Sequence, residues 1–504
     1  MAHPISTTPE NADPVAPGTS RMKFRLQLVA VSDAGQEQGH EVGQFERDGL
    51  AMETLGLTLA EGKLILKNVQ ERVVQEQISD CLAQQRRCPD CGQMRSRNGH
   101  HDVTMRTVFG KMEWKSPRLR HCSCQQHEEK TFSPLQRVLP EQISPELRYL
   151  EVKWGALLAY QAGCDLLHEV LPVHEQLNAE TMRQHMFEVA ERLEQELGEE
   201  RPSLIEGSPD DWEHLPIPNG PLTVGLDGGF VRARHKRGCF EVIVGKSILE
   251  FRRDDPEDQA VEKSTKRFGF VQTYDEKPRR RVFEVLKSQD LAMNQQVTFV
   301  SDGGDDVRKV QQYLSPEAEY LLDWFHITMR ITVMKQMARG LAAEVGTPVA
   351  DGEPEKSNEK GGMEKELQSL KWNLWHGNVE RAQARITDLQ WELEITAGRT
   401  ENGKKLLKQL REFEVYVRNN QDYIPNYGER YGTESESRRG FVESTVNQVV
   451  SKRMVKKQQM AWTERGAHLL LQVRTRVLNG DLEDAFRCWY PKFRPELPTV
   501  QKAA

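Results

Sequence analysis

The sequence predicts a multidomain α/β protein, and three observations predict it. At 504 residues the chain is about three times the length of a common domain. Short β-rich runs at Leu222 to Leu226, Phe240 to Val244, Phe268 to Tyr274 and Val297 to Val300 lead into a helical segment, Asp305 to Leu314, and another apolar run, Tyr320 to Leu322. Three strands, then strand, helix, strand, helix, is an α/β order. Four of the eight cysteines crowd together well before that region and mark a separate small module.

Composition narrows the class. Apolar residues make up 37% and charged residues 29%, which fits a folded chain and excludes a disordered or collagen-like one. No apolar run reaches the roughly 18 residues needed to span a bilayer, and Met1-Ala-His-Pro lacks the blocks of a secretion signal. The expectation is a cytoplasmic protein with no membrane partner. Net charge is 69 minus 76, or -7, so any nucleic-acid site must come from local clustering of bases.

In chain order, residues 1–21 are Pro/Ser/Thr-rich and read as a disordered tail. Residues 22–84 open with the alternation Lys23-Phe24-Arg25-Leu26 of a strand and continue into a helix from Leu57 to Cys81. Residues 85–135 hold the cysteines as Cys88-Pro-Asp-Cys91-Gly and Cys122-Ser-Cys124. Two close pairs across a β-rich spacer suit a zinc ribbon, because Zn²⁺ takes four thiolates in a tetrahedron. Redox thiols and disulfides are the alternatives, and His100, His101 or His121 can replace one sulfur. Between residues 85 and 124 nine bases, Arg118 and Arg120 among them, stand against three acids, the charge that contact with a phosphate backbone requires.

Residues 144–198 read as three helices, Glu146 to Tyr160, Asp165 to Val170 and Asn178 to Leu197. They have the outline of a helix-turn-helix, with Asn178 an N-cap and Arg183 free to meet DNA. Simple scaffolding is the alternative. Residues 199–221 carry five prolines and read as an interdomain linker. Residues 222–340 and 436–480 are the α/β domain, 345–435 a loop and helical insertion with Trp372, Trp375 and Trp391 on core faces, and 481–504 a C-terminal tail.

Two strands are read as ending on an aspartate followed by glycines, Leu226-Asp227-Gly-Gly and Ser301-Asp302-Gly-Gly-Asp305-Asp306. Such strand ends put carboxylates at a sheet rim, where hard oxygen ligands can hold two Mg²⁺ (or Mn²⁺) ions about 3.5 to 4 Å apart. A third acid is expected on a later helix. Glu443 opens one, with Arg453, Lys456 and Lys457 at helical spacing beyond it as a basic stripe for DNA. Asp305 and Asp306 are rivals for the second position. Asp323 and His326, three apart, read more readily as a helix cap with a packed imidazole than as a ligand pair, yet His326 is also counted as a catalytic residue that contacts the scissile phosphate or orients Asp302. The strand order is the one a ribonuclease-H-like sheet requires.

Together these motifs resemble the ISKra-type insertion-sequence DDE transposases of bacteria. The resemblance runs from about Leu55 and rests on Thr58-Leu-Ala-Glu-Gly-Lys, Cys88-x-x-Cys91, Arg106-Thr-Val-Phe-Gly-Lys, Cys122-Ser-Cys124, Leu226-Asp227-Gly-Gly, Val300-Ser-Asp302-Gly, Asp323-Trp-Phe-His326, and Glu443 followed by Met460-Ala-Trp462. It implies that Asp227, Asp302 and Glu443 bind the metals and that Asp323-x-x-His326 is the Asp/Cys-x-x-His element of Mutator-like and hAT relatives. It also implies DNA nicking and strand transfer at element ends, structural zinc, and at least a dimer on DNA. A catalytically silent DNA-binding regulator and a structure-specific nuclease of the same fold are the other two functions that these residues allow.

Overall fold

The computed structural model describes residues 21–32, 35–124, 130–201, 203, 206–216, 218, 220–252, 261–316, 318–344, 362–396, 400–431, 441–455 and 460–494. The chain forms two compact units, one of residues 1–151, 160–182 and 490–504, the other of 152–159 and 183–489. The division falls between Met182 and Arg183, so the proline-rich segment 199–221, where the sequence placed a boundary, lies inside the second unit. The tail 1–20 and the loop 345–361 lie outside the described residues.

In the first unit, β1 (Arg21–Val31) and β2 (Glu37–Asp48) form an antiparallel hairpin. Helix α1 (Leu59–Gln85) starts where Thr58 and Glu61 cap each other, and Glu61 also pairs with Arg47 at 2.6 Å. The reciprocal cap satisfies two of the amides a helix start leaves orphaned. Strands β3 (Arg97–Thr107), β4 (Gly110–Arg120) and β5 (Thr131–Phe132) make a three-stranded sheet next to the cysteines. Short α2 (Pro134–Val138) follows. The three predicted helices are present as α3 (Pro145–Leu157), α4 (Tyr160–Val170) and α5 (Ala179–Glu196); α3 from Val152 and α5 from Arg183 belong to the second unit. Asn178 caps α5 as expected, its Oδ1 accepting the Glu180 and Thr181 amides at 3.0 Å.

The second unit carries α6 (Pro209–Trp212), a single turn in the former linker, and then the main sheet. Its strands are β6 (Leu222–Arg232), β7 (Cys239–Arg252), β8 (Val261–Val271), β9 (Val297–Ser301) and β10 (Glu319–Leu322), in the spatial order β10-β9-β6-β7-β8. The β6, β7 and β8 strands run antiparallel in succession, while β9 and β10 run parallel to β6. Helix α7 (Pro278–Lys287), which the sequence did not announce, leads into β9, and α8 (Asp305–Leu314) joins β9 to β10. Leu222, Val224, Leu226, Phe268, Phe299, Val282 and Val310 form the core between sheet and helices. Burying a side chain such as Phe299 contributes about 2 to 3 kcal/mol.

After β10 comes α9 (Trp324–Glu344), then α10 (Gly362–Trp375), α11 (Val379–Thr396), α12 (Glu401–Asn419) and α13 (Tyr427–Tyr431). Ile327, Ile331, Leu370, Leu374, Ile386, Leu389, Leu406 and Leu410 interdigitate in their own core. Trp375 packs against it, but Trp372 and Trp391 are exposed, contrary to the core placement expected of them. The chain returns through α14 (Phe441–Val446), a π-helical stretch from Asn447 to Val455, α15 (Glu464–Asn479) and α16 (Leu482–Trp489). The expected C-terminal tail is thus helical through Trp489, with Leu482 and Phe486 buried.

An ion network ties α5, α7 and α15 together. Arg281 donates to both oxygens of Glu194 and of Asp275 and to Gln472, at 2.6 to 3.0 Å, and is only 6% exposed. The guanidinium occupies the space among Glu194, Asp275 and His468, so their convergence is an ion-pair site, with a cation already in it. Among the described residues no helix is long and apolar enough to cross a membrane.

Candidate active site

Sheet register brings the acids together. Residues 222–225 of β6 pair with 297–300 of β9, so Asp227 falls level with Asp302. Leu322 of β10 pairs with Ser301, and the Asp323 amide donates to the Ser301 carbonyl at 2.7 Å, so Asp323 falls level with Asp302 as well. Three aspartates therefore stand in one row across three adjacent parallel strands.

Asp227 differs in one respect from its sequence reading. It does not end its strand: Gly228 and Gly229 continue β6 and pair with Ile243 and Val242. Their smallness serves packing rather than turning. A Cβ on Gly229 would lie 3.1 Å from Val446 of α14, so the missing side chain lets that helix lie against β6. Glu443 lies on the same helix, one turn before Val446; its side chain is outside the described residues. Asp302 does follow its strand directly. Its Oδ1 accepts the Gly304 amide at 3.0 Å, and Gly303 takes a φ of +93° that other residues rarely adopt. Asp305 and Asp306 begin α8, and their side chains too lie outside the described residues.

Asp227 is 7% and Asp323 8% exposed. Burial pushes the Asp227 carboxyl up to about 6; His326 opposes that shift, and Asp302 and Asp323 add to it. His326 Nε2 stands 3.6 Å from Asp227 Oδ1 and 3.8 Å from Asp323 Oδ2. Asp323 does cap α9, its Oδ1 accepting the Phe325 amide at 2.9 Å, and its other oxygen belongs to the row. The residues alone favoured a cap for Asp323, and its place level with Asp302 was not legible, because register is invisible until the strands are paired. Carboxylates are the right donor chemistry for a hard divalent cation such as Mg²⁺ or Mn²⁺, although the oxygens of the row do not converge as closely as the cysteine sulfurs do.

The insertion supplies supports that no motif announced. Tyr416 Oη donates to the Asp302 carbonyl, Tyr427 Oη donates to the Leu322 carbonyl at 2.7 Å, and Asn420 closes against Gly303, where a Cβ would meet its Oδ1 at 2.6 Å. Both strand ends bearing acids are thus braced from helices far along the chain.

The cysteine cluster is compact. The Sγ atoms of Cys88 and Cys124 are 3.5 Å apart, Cys91 and Cys122 3.3 Å, and Cys91 and Cys124 3.4 Å. A disulfide would need about 2.05 Å, whereas sulfurs about 2.3 Å from a shared Zn²⁺ lie about 3.7 Å apart in a tetrahedron. All four are free thiols, and they form a set that can hold a metal ion without His100, His101 or His121. The backbone amide of Cys91 draws the Cys88 thiol down to about 6, with burial opposing and the Asp90 amide adding to it. The neighbouring thiols, Cys91 first, drive Cys124 up. Such crowding is relieved by a cation.

Compared with models of known protein families and with curated proteins, the chain matches none.

The expected DNA contacts fare unevenly. Arg118 and Arg120 are exposed on β4, as a phosphate contact requires. Arg183 is half-buried with its guanidinium 4.7 Å from the Phe187 ring centroid, so it is not the free base the sequence suggested. Arg453 is a correction: it is 1% exposed and donates to the Gly155 carbonyl at 3.2 Å, so it braces the core and cannot reach DNA. Lys456 and Lys457 lie outside the described residues.

Proposed function

We propose that the chain is a DDE transposase with a ribonuclease-H-like catalytic domain, acting on double-stranded DNA at the ends of an insertion sequence. The observation that carries the reading is the row of Asp227, Asp302 and Asp323 with α14, the helix of Glu443, packed beside the first of them. The strand order, three antiparallel strands extended by two parallel ones on the far side of β6, supports the fold.

Asp227, Asp302 and Glu443 would hold two Mg²⁺ or Mn²⁺ ions, and Asp323 offers a fourth carboxylate. When bound, such ions supply the activation of water or of a DNA 3′-hydroxyl and the stabilisation of the leaving 3′-oxygen. The chain's own residues do the rest. Burial keeps water from screening the carboxylates, the Asp302 turn is fixed by Gly303 and Tyr416, and His326 holds its Nε2 between Asp227 and Asp323. From there the His326 ring would contact the scissile phosphate or orient the acids beside it. The Cys88, Cys91, Cys122 and Cys124 set would hold structural zinc and fix the exposed bases of β4, and the function calls for a dimer or higher assembly on two DNA ends.

The test is incubation of the purified chain with labelled duplexes carrying the element ends and Mg²⁺, followed by mapping of nicks. A nick at a fixed position, absent without divalent metal and absent in Asp227→Asn, is expected. End binding without any nick in Mg²⁺ or Mn²⁺ would leave a silent regulator instead, and cutting directed by branch structure would leave a nuclease.

A further inference from the structure

The hairpin between β6 and β7 carries Arg232-Ala-Arg234-His235-Lys236-Arg237-Gly238, and no acid interrupts residues 228 to 240. In a chain of net charge -7 this is a dense run of bases. It emerges directly from the strand of Asp227, the most buried acid of the row.

Other arginines of the same unit are consumed by structure: Arg281, Arg453 and Arg474 are buried and bonded to carboxylates or carbonyls. Arg232, Arg234, His235 and Arg237 are all exposed, and among the described residues their side chains make no hydrogen bond or ion pair. Three arginines thus stand exposed on one short hairpin.

The tip is also fastened. Beyond the end of β9 the free edge of β6 is taken up by Trp462, whose amide donates to the Arg232 carbonyl at 2.8 Å and whose carbonyl accepts the Arg234 amide at 2.9 Å. Across the hairpin the Ala233 amide donates to the Gly238 carbonyl at 3.0 Å, and Gly238 turns the chain with a φ of +105°. Lys236 spends its charge on Glu464 at the start of α15, 2.7 Å away. A loop pinned on two sides presents its remaining bases at a fixed distance from the acids, which lowers the ordering cost of binding.

Resting on the reading of this site as one that cuts DNA, we propose that the β6–β7 hairpin is a clamp for the phosphate backbone of the duplex being cut. Arg232, Arg234 and Arg237 contact its phosphates and read no sequence. At about 3.3 Å per strand residue, Arg232 lies about 17 Å along β6 from Asp227 and the tip a little further. With about 3.4 Å of axial rise per phosphate of one strand, a hairpin lying along the duplex axis would hold phosphates about five to seven positions from the scissile one.

The test uses the full chain in EDTA, so that binding is read without cleavage, and a labelled random-sequence duplex titrated at several salt concentrations. For the variant Arg232→Ala/Arg234→Ala/Arg237→Ala, with Lys236 left in its ion pair, the slope of log K against log salt should flatten by about 2 to 3, at about 0.9 per phosphate contact. The charge-preserving Arg232→Lys/Arg234→Lys/Arg237→Lys variant should keep the slope, which separates a lost charge from a disturbed hairpin. A wild-type slope in the alanine variant, or equal losses in both variants, would overturn the clamp. Unchanged slope in a chain that nicks DNA with Mg²⁺ overturns the clamp alone. A flattened slope in a chain that never nicks keeps the clamp and overturns the enzyme, and a wild-type chain without affinity for DNA overturns both.

Discussion

The hydroxyl of Tyr416, in the insertion, donates a 3.0 Å hydrogen bond to the backbone carbonyl of Asp302, at the end of β9. The guanidinium of Arg330 lies 4.2 Å from the centre of the same ring. Tyr416 is therefore a positioning residue for an acid that sits far away in sequence. Replacing it by Phe keeps the ring and removes the bond, a loss of about 1 kcal/mol at that turn. The expected outcome is a several-fold rise in the Mg²⁺ concentration giving half-maximal nicking with DNA affinity unchanged; equal metal dependence in Tyr416→Phe and wild type would refute the role.

Asp227→Asn, Asp302→Asn and Glu443→Gln should each abolish nicking and joining while end binding persists, because ions held by shared ligands act as a unit. The register adds Asp323→Asn to that group. Activity in Asp302→Asn together with its loss in Asp305→Asn or Asp306→Asn would move the second ligand into α8.

Cys91→Ser should release the zinc and unfold the β3–β4–β5 module, since metal binding supplies about 10 to 16 kcal/mol of folding energy in sites of this kind. Elemental analysis of the purified chain is expected to give one zinc per chain. A metal-free protein with unaltered DNA affinity would show that the thiols fold without it.

Glu194 provides an acid limb of stability. Burial alone would raise its carboxyl, but His468 and Arg281 outweigh burial and lower it from 4.5 to about 2. A depressed carboxylate stabilises the fold above its unfolded pKa and loses that contribution as pH falls through the folded value. Stability of the wild type should thus decline from about pH 4.5 toward pH 2, and Glu194→Gln should flatten that decline while lowering stability at pH 7. Parallel denaturation curves for the two proteins across that range would contradict the assignment.

Loss of Arg281 should be more severe. It would leave Glu194 and Asp275 facing each other inside the protein, and stranding one side of a buried ion pair costs about 3 to 5 kcal/mol. Arg281→Met should therefore lower the urea midpoint of the second unit well beyond what Glu194→Gln does.

Much of this was legible in local sequence. The strands from Leu222 onward, the cap at Asn178 and the paired cysteines all declare themselves through periodicity or spacing, because neighbours in the chain create them. What failed depended on distant partners. Arg453 looks like an exposed base in any window, and only Gly155, almost 300 positions earlier, reveals that it is buried. Gly228 and Gly229 look like a turn until β7 pairs with them. Trp372 and Trp391 were placed on the core faces of their helices, yet the leucines and isoleucines beside them fill that core. The hairpin bases from Arg232 to Arg237 were in plain view as charge, and their meaning came from the strand they extend.

The order of assembly along β6, β9, β10 and α14 has a consequence for synthesis. A ribosome delivers the cysteine module and the first three acids early, and the whole insertion must follow before Glu443 arrives. A chain that stops short of Phe441 would keep the ribbon and the bases of β4 but lack the last ligand. If the proposed function holds, such a fragment would bind DNA ends without cutting them, and premature termination of the same message would yield a competitor of the full-length protein.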